Sequence, residues 1–160
     1  MTREEVLAAH DEARRQVESR LDEGSVESFG GWSAKELLLH FASWQAFFAA
    51  TLKARRESGR EATASEMLGR PLDRVESERL LKLDTDQTNA YVQELFRRAS
   101  WAEARSYWAR SCDQLRGEVA RLSDEQLEEL AFGEPLWQRI GLESFSHVSM
   151  HLSAPNKPLG

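Results

Sequence analysis

Four histidines are the residues of this chain best suited to chemistry: His10, His40, His147 and His151. His147 and His151 stand four residues apart. On an α-helix that spacing places both imidazoles on one face, with Cβ atoms ~6 Å apart, which suits two ligands of one metal. On a helical wheel they share a strip with Trp137, Ile140 and Ser144, beside an apolar face of Gly141, Phe145, Val148 and Leu152. His40 shares a face with Leu37, Trp44, Phe47 and Thr51, so it is expected to point inward as well. Three neutral imidazoles from two facing helices would leave coordination positions open for water or substrate, as in catalytic rather than structural centres. Each ligand should then have a hydrogen-bond partner that fixes its tautomer. The competing expectation is a set of hydrogen-bonded core histidines, because His-x-x-x-His without a following glutamate is an unspecific spacing.

Other candidates surround this set. Glu143 lies one turn before His147 and roughly 60° round from the histidine strip, where it could act as a general base or support a ligand. A solvated surface carboxylate is the expectation its polarity favours. Trp44, Tyr107, Trp108 and Trp137 could line a substrate pocket, although their helical spacing also makes them core residues. Cys112 sits beside Trp108 and Leu115 with no neighbouring base, so it reads as a small buried hydrophobe. His10 lies with Val6, Ala13 and Val17 and reads as a core residue outside the metal set. No Ser-His-Asp order, phosphate loop or dinucleotide fingerprint is present.

These side chains must be positioned by helices, because strand-like alternation appears nowhere. Thr2-x-x-Glu5 is a capping box ahead of a first helix to about residue 22, with Val6, Ala9, Ala13, Val17 and Leu21 at the helical period. Gly24, Gly30 and Gly31 mark the loop that follows. Ser33 and Glu36 form a second box, with Trp32 and Leu37 as its hydrophobic staple, and that helix runs to about Glu57 before Gly59 stops it. Residues 58–83 read as a long crossover with some helical turns. A short helix covers about 84–98. Ser100-x-x-Glu103 opens another, whose seam holds Trp101, Trp108, Cys112, Leu115, Val119 and Leu122. Ser123-x-x-Gln126 caps a short helix, with Leu122 and Leu127 as its staple. One unbroken last helix is expected over about 136–152, with Pro135 in its first turn. The outcome is an all-α, four-helix bundle with a long crossover between the second and third bundle helices. One domain should span residues 1–152, with 153–160 as a tail. Bundles of this kind build ligand and metal sites in the core.

Composition narrows the function. Among 160 residues there are 27 acidic and 21 basic ones, a net charge of −6. That balance, without a basic tract, disfavours nucleic acid. The segment from Leu37 to Leu52 is interrupted by His40, Ser43, Gln45 and Thr51, so no membrane span is expected. The charged N-terminus does not read as a signal peptide, and a single cysteine suits a reducing compartment. A cytoplasmic protein acting on a small molecule is the expectation.

The motif order adds a resemblance. Gly31-Trp32-Ser33-Ala34-Lys35-Glu36-Leu37-Leu38-Leu39-His40 resembles the opening of helix two in the DinB-like superfamily. His147-Val148-Ser149-Met150-His151 is similar to that superfamily's His-x-x-x-His on its last helix. Thr88–Tyr91, Ser100–Glu103 and Arg121–Leu127 look like the ClbS/DfsB branch. The likeness covers about residues 2–152. It implies a DinB-like bundle holding a divalent metal, often zinc or nickel, on His40, His147 and His151. It also implies one of several activities: thiol-dependent transfer or isomerisation with mycothiol or bacillithiol, hydrolysis by metal-activated water, or ClbS-like binding and self-resistance against an electrophilic metabolite. A non-catalytic bundle and a homodimer are further possibilities of the same resemblance. Pro155 departs from the pattern, since relatives usually continue the last helix beyond that point.

Overall fold

The structure is a computed structural model, and it describes residues 1–24, 27–28, 31–153 and 157–158. Gly30 and Pro155, both singled out in the sequence, lie outside the described residues. In chain order the helices are α1 (Arg3–Arg20), α2 (Ala34–Ser58), α3 (Ala64–Leu68), α4 (Arg74–Leu80), α5 (Thr85–Leu95), α6 (Trp101–Val119), α7 (Asp124–Glu128), α8 (Leu136–Glu143) and α9 (Phe145–Leu152). The bundle consists of α1, α2, α6 and the α8–α9 pair. The long helix α2 packs along α6, and α1 packs on α9 and α6.

Helix starts follow local chemistry. Side-chain caps and reciprocal glutamates or glutamine close boxes at Thr2/Glu5, Ser33/Glu36, Ser100/Glu103 and Ser123/Gln126, each satisfying otherwise orphaned N–H donors. A box at Thr63/Glu66 starts α3 and an Asp73 cap starts α4, so residues 58–83 are more ordered than their weak periodicity suggests, and a box at Asp84/Gln87 starts the expected helix α5. Gly59 ends α2 at φ 61°, a left-handed conformation that costs glycine little.

Apolar packing divides along the bundle into two clusters. One gathers Val17, Leu38, Phe41, Trp108, Cys112 and Val148; the other gathers Val6, Phe48, Leu52, Leu115, Leu127 and Ile140. Phe145 packs against both. Trp32 packs against the first cluster, which includes Leu37, the residue expected to staple it.

The last helix differs from its expected course. It breaks at Ser144 (φ −132°, ψ −105°), so α8 and α9 are separate helices. His10 holds the break. Its Nε2 lies 3.2 Å from the Cys112 carbonyl, which only accepts, so Nε2 carries the proton. Its Nδ1 then accepts from the Ser144 hydroxyl at 2.6 Å. This buried histidine is thus a structural tie between α1, α6 and the α8–α9 junction. Pro135 precedes α8 as its N-terminal flank rather than opening its first turn.

Gly141 makes the junction possible. A Cβ at that position would stand 2.8 Å from Phe145 Cε2, and the Phe145 ring is wedged between the two clusters. Gly141→Ala is therefore expected to destabilise the protein by ~1–3 kcal/mol, the usual cost of overpacking. A urea-unfolding midpoint unchanged from wild type would show that the ring moves freely.

Four two-residue strands complete the described chain. Glu27–Ser28 (β1) pairs antiparallel with Lys157–Pro158 (β4), and Leu130–Ala131 (β2) pairs antiparallel with Glu134–Pro135 (β3). The tight β2–β3 turn places Phe132 at φ 61° and Gly133 at φ 85°. An aromatic residue in the left-handed region is uncommon.

Candidate metal centre

The periodicity of α2 carries His40 inward, and α9 presents His147 and His151 to it. One candidate ligand nitrogen from each imidazole lies within 4.8 Å of the others. His40 Nε2 and His147 Nε2 are 2.9 Å apart. The ring centroids are 4.7 Å apart for His40–His147 and 5.0 Å for both His40–His151 and His147–His151. His40 and His147 are buried and His151 is half-buried.

The surroundings are aromatic. Trp32 stacks on His40 with centroids 4.8 Å apart. Phe41 meets His147 and His151 edge-on at 5.3 and 5.6 Å. Desolvation among these rings lowers the His40 pKa to about 3 and the His147 pKa to about 4, with repulsion from neighbouring imidazoles adding to the drop. His151 is lowered by burial too. All three imidazoles are therefore neutral near pH 7, the form in which histidine binds a metal.

The donor set fits a divalent ion. Metal–nitrogen bonds of ~2.0–2.1 Å put tetrahedral ligands ~3.4 Å apart, so a separation of 4.8 Å would close by about 1.4 Å and the 2.9 Å pair would open by about half an ångström. At 2.9 Å, one of the two facing Nε2 atoms must donate a proton to the other, and a metal would replace that proton. The expected outer partners are only partly present. Asn89 accepts from Trp44 Nε1 at 2.7 Å, and its side chain beside His40 opposes the pKa drop. The buried His147 Nδ1 has no partner among the described residues.

The DinB superfamily sequence model matches residues 26–152. This chain belongs to the DinB superfamily. DinB proteins often bind a metal, and His40, His147 and His151 could hold one here. A crystal structure of an uncharacterised protein from Escherichia coli UTI89 has the same fold, with a TM-score of 0.63 over 93% of this chain and 87% of that one. Sequence identity between them is 14%. No curated protein matches the chain. No described helix of this DinB protein is long and apolar enough to cross a membrane.

The remaining candidates are dispersed. Trp44 lines a cavity of about 330 Å³ between α2, the crossover and α8. Trp108 is 2% exposed and borders a smaller cavity of about 110 Å³ with Val17, Leu38 and Trp101. Tyr107 is buried against Phe96, and burial pushes its phenol up to about 12. Trp137 is half-buried against the second apolar cluster. Cys112 is fully buried and its thiol is pushed upward by desolvation, consistent with an inert packing role.

Glu143 is not the solvated residue its polarity suggested. It is 7% exposed, ion-paired to Arg139 at 2.6 Å, and lines the larger cavity. Burial outweighs the attraction of Arg139 and raises its carboxyl to about 7. The surface expectation rested on polarity alone, and the Arg139 partner is what accompanies this carboxyl into the interior. Trp32 and Asn89 escaped the sequence reading as neighbours of the site. Trp32 lies within the capping signal, which explained it without reference to His40. Asn89 is on the crossover side, whose docking no local pattern specifies.

Proposed function

We propose that this DinB protein is a metal-dependent enzyme acting on an electrophilic small molecule, as a hydrolase or as a thiol-dependent transferase. The convergence of three neutral imidazoles inside the bundle supports this reading most directly. Zinc or nickel is the proposed ion, and a low-molecular-weight thiol the proposed co-substrate. A metal there supplies Lewis acidity, which favours the deprotonated form of water or of a thiol near neutral pH. The chain's own contribution is to hold three uncharged ligands ready and to keep bulk water off them with Trp32 and Phe41. Glu143 lines the larger cavity rather than the histidine cluster, so with a carboxyl near 7 it is the proposed proton-transfer group for a substrate seated in that cavity.

A second reading is a ClbS-like binding and self-resistance protein within the ClbS/DfsB branch. It is favoured by the larger cavity, whose described walls carry no histidine. The two readings part in one experiment. The protein is stripped with a chelator, reloaded with zinc or nickel, and offered epoxide and activated-ester electrophiles with and without a mycothiol- or bacillithiol-type thiol. Metal-restored multiple turnover is expected. Stoichiometric electrophile loss, or turnover that ignores the metal, would place the binding protein first.

A further inference from the structure

The larger cavity has a chemistry of its own. Its α2 wall presents Trp44, Phe47 and Phe48, and the crossover closes it with Met67, Leu80 and Tyr91. Phe132 closes one edge, held in its left-handed conformation with the Arg55 guanidinium 4.1 Å from its ring centroid. Thr51, Thr88 and Glu61 add polar atoms, and the Arg139–Glu143 pair spans the wall at 2.6 Å, its Glu143 side chain 9% exposed and its Arg139 side chain 34%. Arg139 Nε is buried and has no hydrogen-bond partner among the described residues. A volume of about 330 Å³ accommodates a molecule of two or three rings.

We propose that this cavity binds an uncharged, largely apolar, ring-bearing molecule with one carbonyl-type acceptor, which takes the unpartnered Arg139 Nε–H. Three observations select that class. The walls are mainly aromatic and aliphatic, so most of the ligand must be apolar. The orphaned donor needs an acceptor, since a buried N–H without one is costly. The Arg139 guanidinium already has the Glu143 carboxyl as its partner at 2.6 Å, and Glu61 at the wall is paired with Arg55 at 3.2 Å. A formally charged ligand would bring a further, unpaired charge into an apolar site. Binding requires no metal. Only the naming of this molecule as the electrophilic substrate rests on the metal-enzyme reading.

The test uses the full chain and the neutral naphthyl ketone 6-propionyl-2-dimethylaminonaphthalene, whose emission shifts to the blue in apolar surroundings. Saturable, equimolar binding with a blue shift is expected. Met67→Trp and Leu80→Trp should each weaken it at least tenfold by filling the cavity. Arg139→Met combined with Glu143→Gln should weaken the ketone about tenfold, as loss of one buried hydrogen bond implies, while 2-dimethylaminonaphthalene, which lacks the carbonyl, binds as before. His147→Ala should leave ketone binding within twofold, so failure of the metal reading would not disturb this one. Circular dichroism confirms that each variant is folded. The proposal is overturned if both folded tryptophan variants bind like wild type. It is equally overturned if a naphthyl carboxylate or ammonium of the same size binds more tightly than the ketone, or if both neutral probes lose affinity equally in the double variant.

Discussion

Replacing His147 by alanine should weaken zinc or nickel binding by more than about 100-fold, since disturbing even an outer partner of a metal ligand costs ~10–100-fold. The imidazole lost is the one whose Nε2 lies 2.9 Å from that of His40. The helical content should stay near wild type, because most bundle stability comes from apolar packing. Calorimetric titration of the chelator-treated protein measures the first effect and circular dichroism the second. The metal-free protein carries a second signature. Burial lowers the His147 pKa from 6.5 to about 4, so the folded state resists protonation that the unfolded chain accepts. The stability tied to the neutral ring is complete above about pH 6.5 and is lost as pH falls through about 4. The melting temperature of the wild type should therefore drop more between pH 7 and pH 4.5 than that of His147→Ala. Equal metal affinity in the two proteins would remove His147 from the site.

The same residues show how far the sequence could be read. His147 and His151 share a face because both lie within α9, inside one stretch of regular helix, where periodicity is a dependable guide. His40 was equally legible, since α2 is unbroken from its Ser33 cap to Gly59. Glu143 lies across the Ser144 break from them, and its polarity alone pointed to the surface. Nothing local announces that break. It depends on the 2.6 Å contact from His10, which is 134 residues away, and on the tight fit of Gly141 against Phe145. The cavity was hidden for a related reason. Its outer wall is the crossover, whose capping boxes set where helices begin but not which way they dock against α2. The orphaned Arg139 Nε exists only once that docking is made.

Phe41 joins the core to the site most directly, and its removal should have the largest effect on folding. It is 1% exposed, and its ring lies 6.2 Å from Trp108 as well as beside His147 and His151. Phe41→Ala removes a fully buried ring from a packed interior and leaves a void between α2 and α9. The expected loss is ~3–5 kcal/mol, a large part of the ~5–15 kcal/mol that holds a typical domain together. Phe41→Leu keeps much of the volume and should cost clearly less. The difference matters for function because the Phe41 ring meets both α9 imidazoles edge-on. Alanine frees them to adopt other rotamers, so metal affinity should fall along with stability, whereas leucine should preserve most of both. Urea titrations of the metal-free proteins give the stabilities without contributions from bound ion, and metal titrations at low temperature follow on the folded fractions. A stability loss below ~1 kcal/mol for Phe41→Ala would mean that the core refills the space. Unchanged metal affinity in a folded Phe41→Ala protein would show that α9 alone fixes its two histidines.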